Sequence, residues 1–419
     1  MNRVSFRIDP ILLCCWLGLV AIGLVAIYSS TYSAEEQVVG QLARFNFVRQ
    51  ATWGGLALVA LLVSSVVSSR VVQLSVWPIY ALAILLLILA LAVGVEVNGA
   101  KSWISLGPVR FQASEVAKFA TVLALGRAFA QRRPGTSPVR FLLGALALPL
   151  LPAVLIVLQN DTGTALVFLG LLPVVLFWSG VPVVYVLLVL SPAITGYLAI
   201  VHLPSALIIA ALLVVINMWI TRERTIGLIT GIVAGTPILL ISVALSFILQ
   251  PYQAARLISF TNPEAAEFRD NVGFHLVQSK AAIGSGGFAG KGFMEGTQTQ
   301  GDYVPEQSTD FIFSVIGEEF GFIGGMLVLF LFALLLIRML VIGAHIKHSF
   351  AMMTSVGVAS VYLIHIFINI GMATGILPVI GIPLPFISYG GTALLAHSLM
   401  LGLVLNIEAH KDEFSIYGY

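Results

Sequence analysis

Ionisable side chains of this chain are concentrated in one long polar loop. The loop covers residues 250–310 and holds 11 of the 40 Asp, Glu, Lys and Arg residues. Its central stretch, 278–313, is rich in glycine, glutamine, threonine and carboxylates, a composition that favours irregular structure over a helix. Carboxylates can accept protons and cations can hold an anion, so we expect the chemistry of the protein in this loop.

Three short segments place ionisable groups at the edges of apolar runs, where such groups are costly and often functional. Glu115 and Lys118 are spaced i to i+3, so on a helix they share one face and can form an ion pair. Asp161 stands at the start of an apolar run, a pattern typical of a helix N-cap. Glu318 and Glu319 are neighbours that point about 100° apart on a helix, which predicts that at least one is buried with a structural partner.

The chain has few signals for a metal or a nucleotide. His365 and His397 lie in apolar runs with no second ligand at a usable spacing, which favours packing roles and predicts no metal site. No nucleotide-binding glycine motif occurs, so the sequence does not support ATP-driven transport. The glycines of IGSGGFAGKG, together with Lys291, instead favour a loop whose backbone N–H groups cradle a phosphate.

Composition makes lipid the main solvent of this chain. Hydrophobic residues make up 59% and charged residues 10%, and the mean hydropathy is +1.02, which is more apolar surface than a soluble core buries. The net charge of +2 gives no basic face for nucleic acid. We therefore predict an all-α, polytopic membrane protein with twelve spans, near 11–29, 50–67, 77–94, 114–131, 141–158, 164–180, 182–202, 205–220, 226–249, 311–338, 350–372 and 389–408.

Charge placement predicts the orientation of the spans, because Lys and Arg collect in cytoplasmic loops. With both termini in the cytoplasm, 12 of the 21 basic residues lie on that side, and the loop 250–310 lies outside. The other nine fall in or beside outer loops, which favours an anionic ligand there, although each one alone also fits snorkelling at the interface. These nine are Arg44, Arg49, Lys101, Arg110, Lys118, Arg256, Arg269, Lys280 and Lys291.

Four stretches together resemble the SEDS family (shape, elongation, division, sporulation). They are NGAKSWISLGPVRFQASEVAK (98–118), QNDTGTAL (159–166), the loop 250–310 and TGILPVIGIPLPFISYGG (374–391). Within that family the chain is similar to the RodA branch, and the likeness extends over nearly the whole chain.

The resemblance implies a fold, an activity and partners. Members of the RodA branch are peptidoglycan glycosyltransferases, which polymerise lipid II into glycan on the outer side of the bacterial cytoplasmic (inner) membrane. The expected partners are a class B penicillin-binding protein that cross-links the product, lipid II, the growing glycan strand and membrane lipid. The fold implied is a single SEDS membrane domain over 1–419. Because RodA-like proteins usually have ten spans, the pair within 182–220 is predicted to be an inserted helical hairpin.

The resemblance also implies catalytic residues. The family's general base is an Asp of the large loop in a D-P-x-G-x-G pattern, and the corresponding stretch here is RDNVGFHLVQS, which indicates Asp270. The Pro is missing and the spacing to the glycine is three residues instead of five, so Glu267 and Glu264 are alternatives. Glu115 and Lys118 match the family's intramembrane carboxylate and lysine and are predicted to act in catalysis.

The same resemblance, together with position in the chain, separates the other polar residues into structural residues and substrate contacts. Asp310 and Glu306, where the loop returns to the membrane, are predicted to be mainly structural. A divalent cation would assist a leaving pyrophosphate, but no carboxylate cluster has metal-binding spacing, so the cofactor stays open. The predicted substrate-binding residues are Arg49, Lys101, Arg256, Gln278, Ser279, Lys280, Lys291 and Asp161.

Two other functions stay open at the level of the sequence. A transporter that flips lipid II would also need intramembrane charge, but it needs polar groups along the whole crossing, and here they concentrate at the outer end. A scaffold for a penicillin-binding protein would tolerate replacement of Asp270, Glu115 and Lys118, whereas an enzyme would not.

Overall fold

The fold is known from a computed structural model of the chain. It describes residues 8–31, 39–97, 99–107, 109–132, 138–243, 258–263, 265, 268, 273–301 and 303–411.

Most of the described chain is α-helical, because a helix satisfies its own backbone hydrogen bonds and can therefore lie in lipid. The helices are α1 Pro10–Thr31, α2 Val39–Val66, α3 Ser69–Val93, α4 Ala113–Ala130, α5 Pro138–Leu158, α6 Thr162–Trp178, α7 Val183–Val201, α8 Leu203–Thr221, α9 Arg224–Val243, α10 Phe274–Ser285, α11 Thr297–Gln300, α12 Ile312–Glu319, α13 Gly321–His345, α14 Ser349–Thr374 and α15 Gly391–Ala409.

The helices confirm a polytopic helical membrane protein. Each of the twelve predicted spans overlaps at least one helix, and nine of the helices in the described residues are long and apolar enough to cross a membrane. One predicted boundary is wrong, because the span expected at 311–338 is divided into α12 and α13. The helix breaks before Gly321, whose φ is +61° and whose added Cβ would lie 2.3 Å from the backbone nitrogen of Gly290.

A small antiparallel sheet precedes α4 and was not predicted. Its strands are β1 Val95–Val97, β2 Ala100–Leu106 and β3 Val109–Gln112, in the order β1-β2-β3. The backbone N–H of Lys101 donates to the carbonyl of Gln159 over 2.9 Å, which ties β2 to the turn between α5 and α6. Because β3 runs directly into α4, the sheet fixes where α4 begins.

The chain forms two compact units. The first comprises Met1–Leu171, Gln278–Ile376 and Ile380–Tyr419, and the second comprises Leu172–Val277 and Leu377–Val379. The second unit contains α7 and α8, which cover the predicted hairpin at 182–220, and both pack against α9. That this hairpin is an insertion stays a prediction.

Polar side chains join the three helices of the second unit. Thr195 Oγ1 of α7 donates to the carbonyl of Ala234 in α9 over 2.8 Å. Asn217 Nδ2 of α8 donates to Thr230 Oγ1 of α9 over 2.9 Å, and both residues are fully buried. Such bonds between buried polar groups hold helices together where lipid supplies no hydrophobic drive.

The first helix, α1, is fixed by residues near the other end of the chain. Trp16 Nε1 donates to Ser398 Oγ of α15 over 2.9 Å. Asp9 caps α1 by accepting from the backbone N–H of Leu12 over 3.0 Å, and its second oxygen pairs with the guanidinium of Arg338 at 2.6 Å. The first unit is therefore closed by contacts between its earliest and latest helices.

Helices α2 and α15 approach most closely at a glycine. An added Cβ on Gly402 would lie 2.0 Å from Ser64 Oγ and 2.5 Å from the carbonyl oxygen of Leu61. Beside it, Asn406 Nδ2 donates to the carbonyls of Ser64 and Ser65 over 3.2 and 3.0 Å. A larger side chain at this glycine must separate the helices and lengthen these bonds.

We expect Gly402→Val to lower the free energy of unfolding by about 1–3 kcal/mol or more, the usual cost of overpacking a tight site. The measurement is the Tm of the detergent-solubilised protein. Gly55→Val is the matched control on α2, because a Cβ there meets nothing within 4 Å. Equal Tm values for the two variants would contradict the close approach at Gly402.

Candidate active site

The candidate active site is built around a non-helical segment, residues 380–390, which joins α14 to α15. Most of its residues are buried, including Ile382, Leu384, Phe386 and Ile387. Irregular backbone inside a membrane protein needs partners for its N–H and C=O groups, because lipid offers none. The side chains that supply those partners define the site.

Side-chain hydrogen bonds of Asn369 and Ser388 attach the segment to the end of the polar loop. Asn369 Nδ2 of α14 donates to the carbonyl of Ile382 over 2.7 Å and to the carbonyl of Asp310 over 2.8 Å. Ser388 Oγ donates to the carbonyl of Thr309 over 2.6 Å and accepts from the backbone N–H of Leu384 over 2.8 Å. The turn before α12 and the segment therefore form one structure.

The end of the segment is held by α2. Gln50 Nε2 donates to the carbonyl of Ser388 over 3.2 Å, and its Oε1 accepts from the backbone N–H of Gly390 over 3.1 Å. Arg49, a predicted substrate contact, directly precedes Gln50 in α2 and is exposed. Its position next to this anchor is compatible with the predicted role.

A buried group of four ionisable side chains lies beside the segment. Glu115 and Lys118 of α4 form the predicted ion pair, with Lys118 Nζ 2.8 Å from Glu115 Oε1. The side chain of Lys118 is 1% exposed and that of Glu115 is 4% exposed. Lys118 Nζ is also 3.0 Å from His365 Nε2 of α14. The ring of His397 of α15 packs edge-on against that of His365, with centroids 4.9 Å apart.

The histidine of α14 connects this group to the segment. His365 Nδ1 is 3.1 Å from the carbonyl oxygen of Pro383, so the imidazole bridges Lys118 and residues 380–390. The sequence predicted packing roles for both histidines, and their burial agrees with that. The contact between His365 and Lys118 was missed, because it joins residues 247 positions apart.

Asp161 lies at the start of α6, as its N-cap pattern predicts. Its Oδ1 accepts from the backbone N–H of Thr164 over 3.1 Å, which confirms the cap. Its Oδ2 accepts from Gln112 Nε2 over 3.2 Å. An added Cβ on Gly163 would lie 2.8 Å from the carbonyl oxygen of Ile380. The capped end of α6 therefore rests directly on the segment, while the predicted substrate contact of Asp161 stays a prediction.

The described part of the polar loop contains more helix than its composition predicts. Helix α10 occupies the first part of the stretch expected to be irregular, which corrects that expectation. Ser279 on α10 is fully buried and bonds to Ser314 Oγ and to the carbonyl of Ala373, over 2.6 and 2.7 Å. A substrate contact at Ser279 stays a prediction, and it would require these bonds to open. Gln278 is half-buried and Lys280 is exposed.

The glycine-rich part of the loop folds onto a buried carboxylate. Glu318 accepts from the backbone N–H groups of Gln298 and Thr299, each over 2.9 Å. Lys291 Nζ lies 2.7 Å from Glu318 Oε1, with side-chain exposures of 25% and 0%. Glu319 is buried as well and accepts from Ser29 of α1. The prediction that at least one of the two glutamates is buried with a partner is confirmed, because both are, and the contacts of Lys291 are those of a loop anchor.

Of the remaining predicted site residues, Lys101 lies in the described part of the chain and four others do not. Lys101 Nζ donates to the carbonyl of Ala92 over 3.2 Å and is half-buried. No group of three or more His, Cys, Asp or Glu within the described ranges is arranged to hold a metal ion. The predicted base Asp270, its alternatives Glu267 and Glu264, and Arg256 lie outside the described residues.

Asp310 is a candidate that the sequence ranked as structural. Its carboxylate is partly buried and makes no hydrogen bond to the described residues. Burial, and then the nearby carboxylate of Glu306, raise the pKa of Asp310 from 3.8 to about 7, the range that suits a general base. An added Cβ on Gly381 would lie 3.3 Å from Asp310 Oδ2, so the glycine leaves space beside the carboxylate. The available sequence signal was the placement of Asp310 directly before an apolar helix.

The raised pKa of Asp310 predicts how stability depends on pH. The folded state holds this proton more tightly than the unfolded state, so its contribution to stability is complete below about pH 4 and is lost as the pH rises through about 7. Asp310→Asn removes this dependence. We expect the Tm difference, variant minus parent, to increase from pH 4 to 7 and to level off above that.

The control for this experiment is Glu306→Gln, which removes the neighbouring charge. It should lower the pKa of Asp310 and move the fall in stability to lower pH. Parallel Tm profiles for the parent and Asp310→Asn would contradict the raised pKa.

Comparison with known proteins places this arrangement in a family. The FtsW, RodA and SpoVE family model, described as "Cell cycle protein", matches residues 10–210 and 202–413. "Peptidoglycan glycosyltransferase RodA" of Treponema pallidum (strain Nichols) is 34% identical, over 96% of this chain and 98% of that protein. "Peptidoglycan glycosyltransferase MrdB" of Escherichia coli (strain K12) is 32% identical, over 99% and 98%.

Two solved structures are similar in fold to this chain over nearly its whole length. A chain described as "Structural coordination of polymerization and crosslinking by a peptidoglycan synthase complex" has a TM-score of 0.72 at 29% identity, covering 97% of this chain and 98% of that chain. The Thermus thermophilus rod shape determining protein RodA has a TM-score of 0.64 at 27% identity, with the same coverage. Because the family model matches nearly the whole chain and both relatives are more than 30% identical over nearly its full length, the chain belongs to the FtsW, RodA and SpoVE family.

Proposed function

We propose that this protein is a RodA-type peptidoglycan glycosyltransferase that polymerises lipid II on the outer face of the bacterial cytoplasmic membrane. The observation that carries the proposal is the full-length likeness to relatives named peptidoglycan glycosyltransferases. The buried ion pair and Asp310, both attached to residues 380–390, support it further. Both termini lie in the cytoplasm in this proposal, because that orientation accounts for 12 of the 21 basic residues.

The reaction requires a base and cations. A sugar hydroxyl attacks the anomeric carbon of the donor, the new glycosidic C–O bond forms, and the lipid pyrophosphate leaves with the electron pair of the broken C–O bond. A carboxylate that accepts the hydroxyl proton speeds this step, and cations stabilise the charge on the departing phosphate. We assign the base to Asp270, with Glu267 and Glu264 as alternatives.

Asp310 is a further candidate for proton transfer. A carboxylate with a pKa of about 7 is ionised in about half of the molecules at neutral pH, so it can accept a proton and release it again. Gly381 has no side chain next to Oδ2 of Asp310, since an added Cβ there would lie 3.3 Å from that oxygen. Asp310 is attached through Asn369 to the same segment that contacts the buried ion pair.

The cations assigned to the pyrophosphate and sugar are Arg49, Lys101, Arg256 and Lys280. Gln278, Ser279 and Asp161 complete the proposed substrate contacts. Lys291 is also a proposed substrate contact, but its ammonium already pairs with Glu318 and would have to leave that carboxylate to bind the substrate. A divalent cation that assists the leaving pyrophosphate would be compatible with this chemistry.

A class B penicillin-binding protein is the proposed partner, and it would cross-link the glycan that this chain polymerises. The support is the structural likeness to a chain of a peptidoglycan synthase complex. Polymer leaves the site on the outer face, which is where a cross-linking enzyme needs its substrate.

The test is glycan formation from purified lipid II by the chain together with its presumed transpeptidase partner. We expect Asp270→Ala to lower the polymerisation rate by about 10²- to 10⁴-fold, the usual contribution of a general base. Glu267→Ala and Glu264→Ala are the matched loop controls and should remain active. Lys118→Ala should also lose activity, because it leaves Glu115 as an unpaired buried charge.

The outcomes separate the rival functions. If Glu267→Ala or Glu264→Ala is the inactive loop variant, the base is misassigned but the enzyme stands. If Asp310→Asn alone abolishes polymer, Asp310 is the base. A folded parent complex that forms no polymer contradicts the proposal. Transfer of lipid II across vesicle membranes would then indicate a flippase, and recruitment of the transpeptidase without transfer would indicate a scaffold.

A further inference from the structure

We infer that His365 is a positioning residue, which holds the ammonium of Lys118 and links it to the segment 380–390. The inference rests on the proposed function, because Lys118 is one of its catalytic residues. It concerns a side chain that the reaction as described above does not use.

The contacts of His365 determine which ring nitrogen carries its proton. Nδ1 lies 3.1 Å from the carbonyl oxygen of Pro383, which can only accept, so Nδ1 is the protonated nitrogen. Nε2 lies 3.0 Å from Lys118 Nζ. An ammonium can only donate, so Nε2 presents its lone pair and accepts. The neutral imidazole with its proton on Nδ1 satisfies both contacts.

Burial makes the bond to Lys118 important. Lys118 is 2% exposed and His365 is 1% exposed, so water does not replace a lost partner. Glu115 Oε1 accepts one N–H of the ammonium over 2.8 Å, and His365 accepts another. Without the imidazole, a buried ammonium N–H would lack an acceptor, which is costly in a low-dielectric interior. The ammonium would then move to find a new one.

The same ring connects two parts of the site. Lys118 belongs to α4, whereas Pro383 belongs to the segment that Asn369 attaches to Asp310. His365 therefore fixes the ammonium relative to the segment as well as to its own ion-pair partner. Any displacement of the segment is transmitted to Lys118 through two hydrogen bonds.

His397 provides a matched comparison within the protein. It is also 1% exposed, and its Nδ1 donates to the carbonyl of Ala393, four residues earlier in its own helix, over 2.7 Å. Its Nε2 is buried and makes no hydrogen bond to the described residues. Neither nitrogen of His397 bonds to another helix, although its ring packs against that of His365. A Gln and a Phe at position 397 should therefore not differ in any hydrogen bond that reaches Lys118.

The test compares His365→Gln with His365→Phe in the polymerisation assay, with kcat and KM measured separately. Gln can accept from Lys118 and donate to Pro383, whereas Phe fills the space and does neither. We expect the Gln variant to keep most of the parent kcat. We expect the Phe variant to lose about 10- to 100-fold in kcat, the effect of one hydrogen bond to a charged group, with KM nearly unchanged.

His397→Gln and His397→Phe are the controls and should have similar kcat values. A purely structural role of His365 would make its Gln and Phe variants equal in kcat, and that result would overturn the inference. The inference is supported if kcat is higher for Gln than for Phe at position 365 and is the same for Gln and Phe at position 397.

A second measurement does not depend on activity. In protein with ¹⁵N-labelled histidine, the signals that disappear in His365→Gln belong to His365. We expect a protonated Nδ1 and an unprotonated Nε2. An imidazolium, or a proton on Nε2, would overturn the inference even if the parent polymerises lipid II. A parent that makes no polymer but shows the expected nitrogen signals would refute the proposed function and leave the hydrogen-bond arrangement standing.

Discussion

Everything in the candidate site depends on one constraint, which is that the irregular backbone of residues 380–390 lies inside a protein surrounded by lipid. A helix would satisfy its own peptide groups, but this segment cannot. Its partners include Asn369 of α14 and Gln50 of α2, and its own Ser388 bonds to the end of the polar loop. These same side chains bring the end of the polar loop, the start of α15 and the first half of α2 into one place, so the demand for hydrogen bonds assembles the site.

The features that the sequence predicted well are local ones. Hydropathy predicted where the long apolar helices lie, and nine helices in the described residues are long and apolar enough to cross a membrane, because the length of an apolar run is set by the thickness of the bilayer. The ion pair of Glu115 and Lys118 followed from helical spacing alone, and the cap at Asp161 followed from its place before an apolar run. In each case the residues that interact are within a few positions of each other, so the pattern contains the answer.

The features that were missed depend on contacts between distant residues. Helix α10 forms in a glycine-rich stretch because Ser279 bonds to Ser314 and to Ala373, which is 94 positions away. Lys291 was expected to meet phosphate, and only the fold shows the buried Glu318 beside it. The elevated pKa of Asp310 arises from burial by the folded chain, and the contact of His365 with Lys118 crosses from one helix to another. No spacing rule contains such information.

The way α1 is held has a consequence for biogenesis. Helix α1 precedes the other described helices along the chain, yet Asp9 pairs with Arg338 of α13 and Trp16 bonds to Ser398 of α15. During synthesis α1 must wait in the bilayer with its indole N–H and its carboxylate unsatisfied by those partners. The first unit can therefore make these contacts only after α13 and α15 have been inserted, and a nascent chain stalled before α15 would leave Trp16 without Ser398.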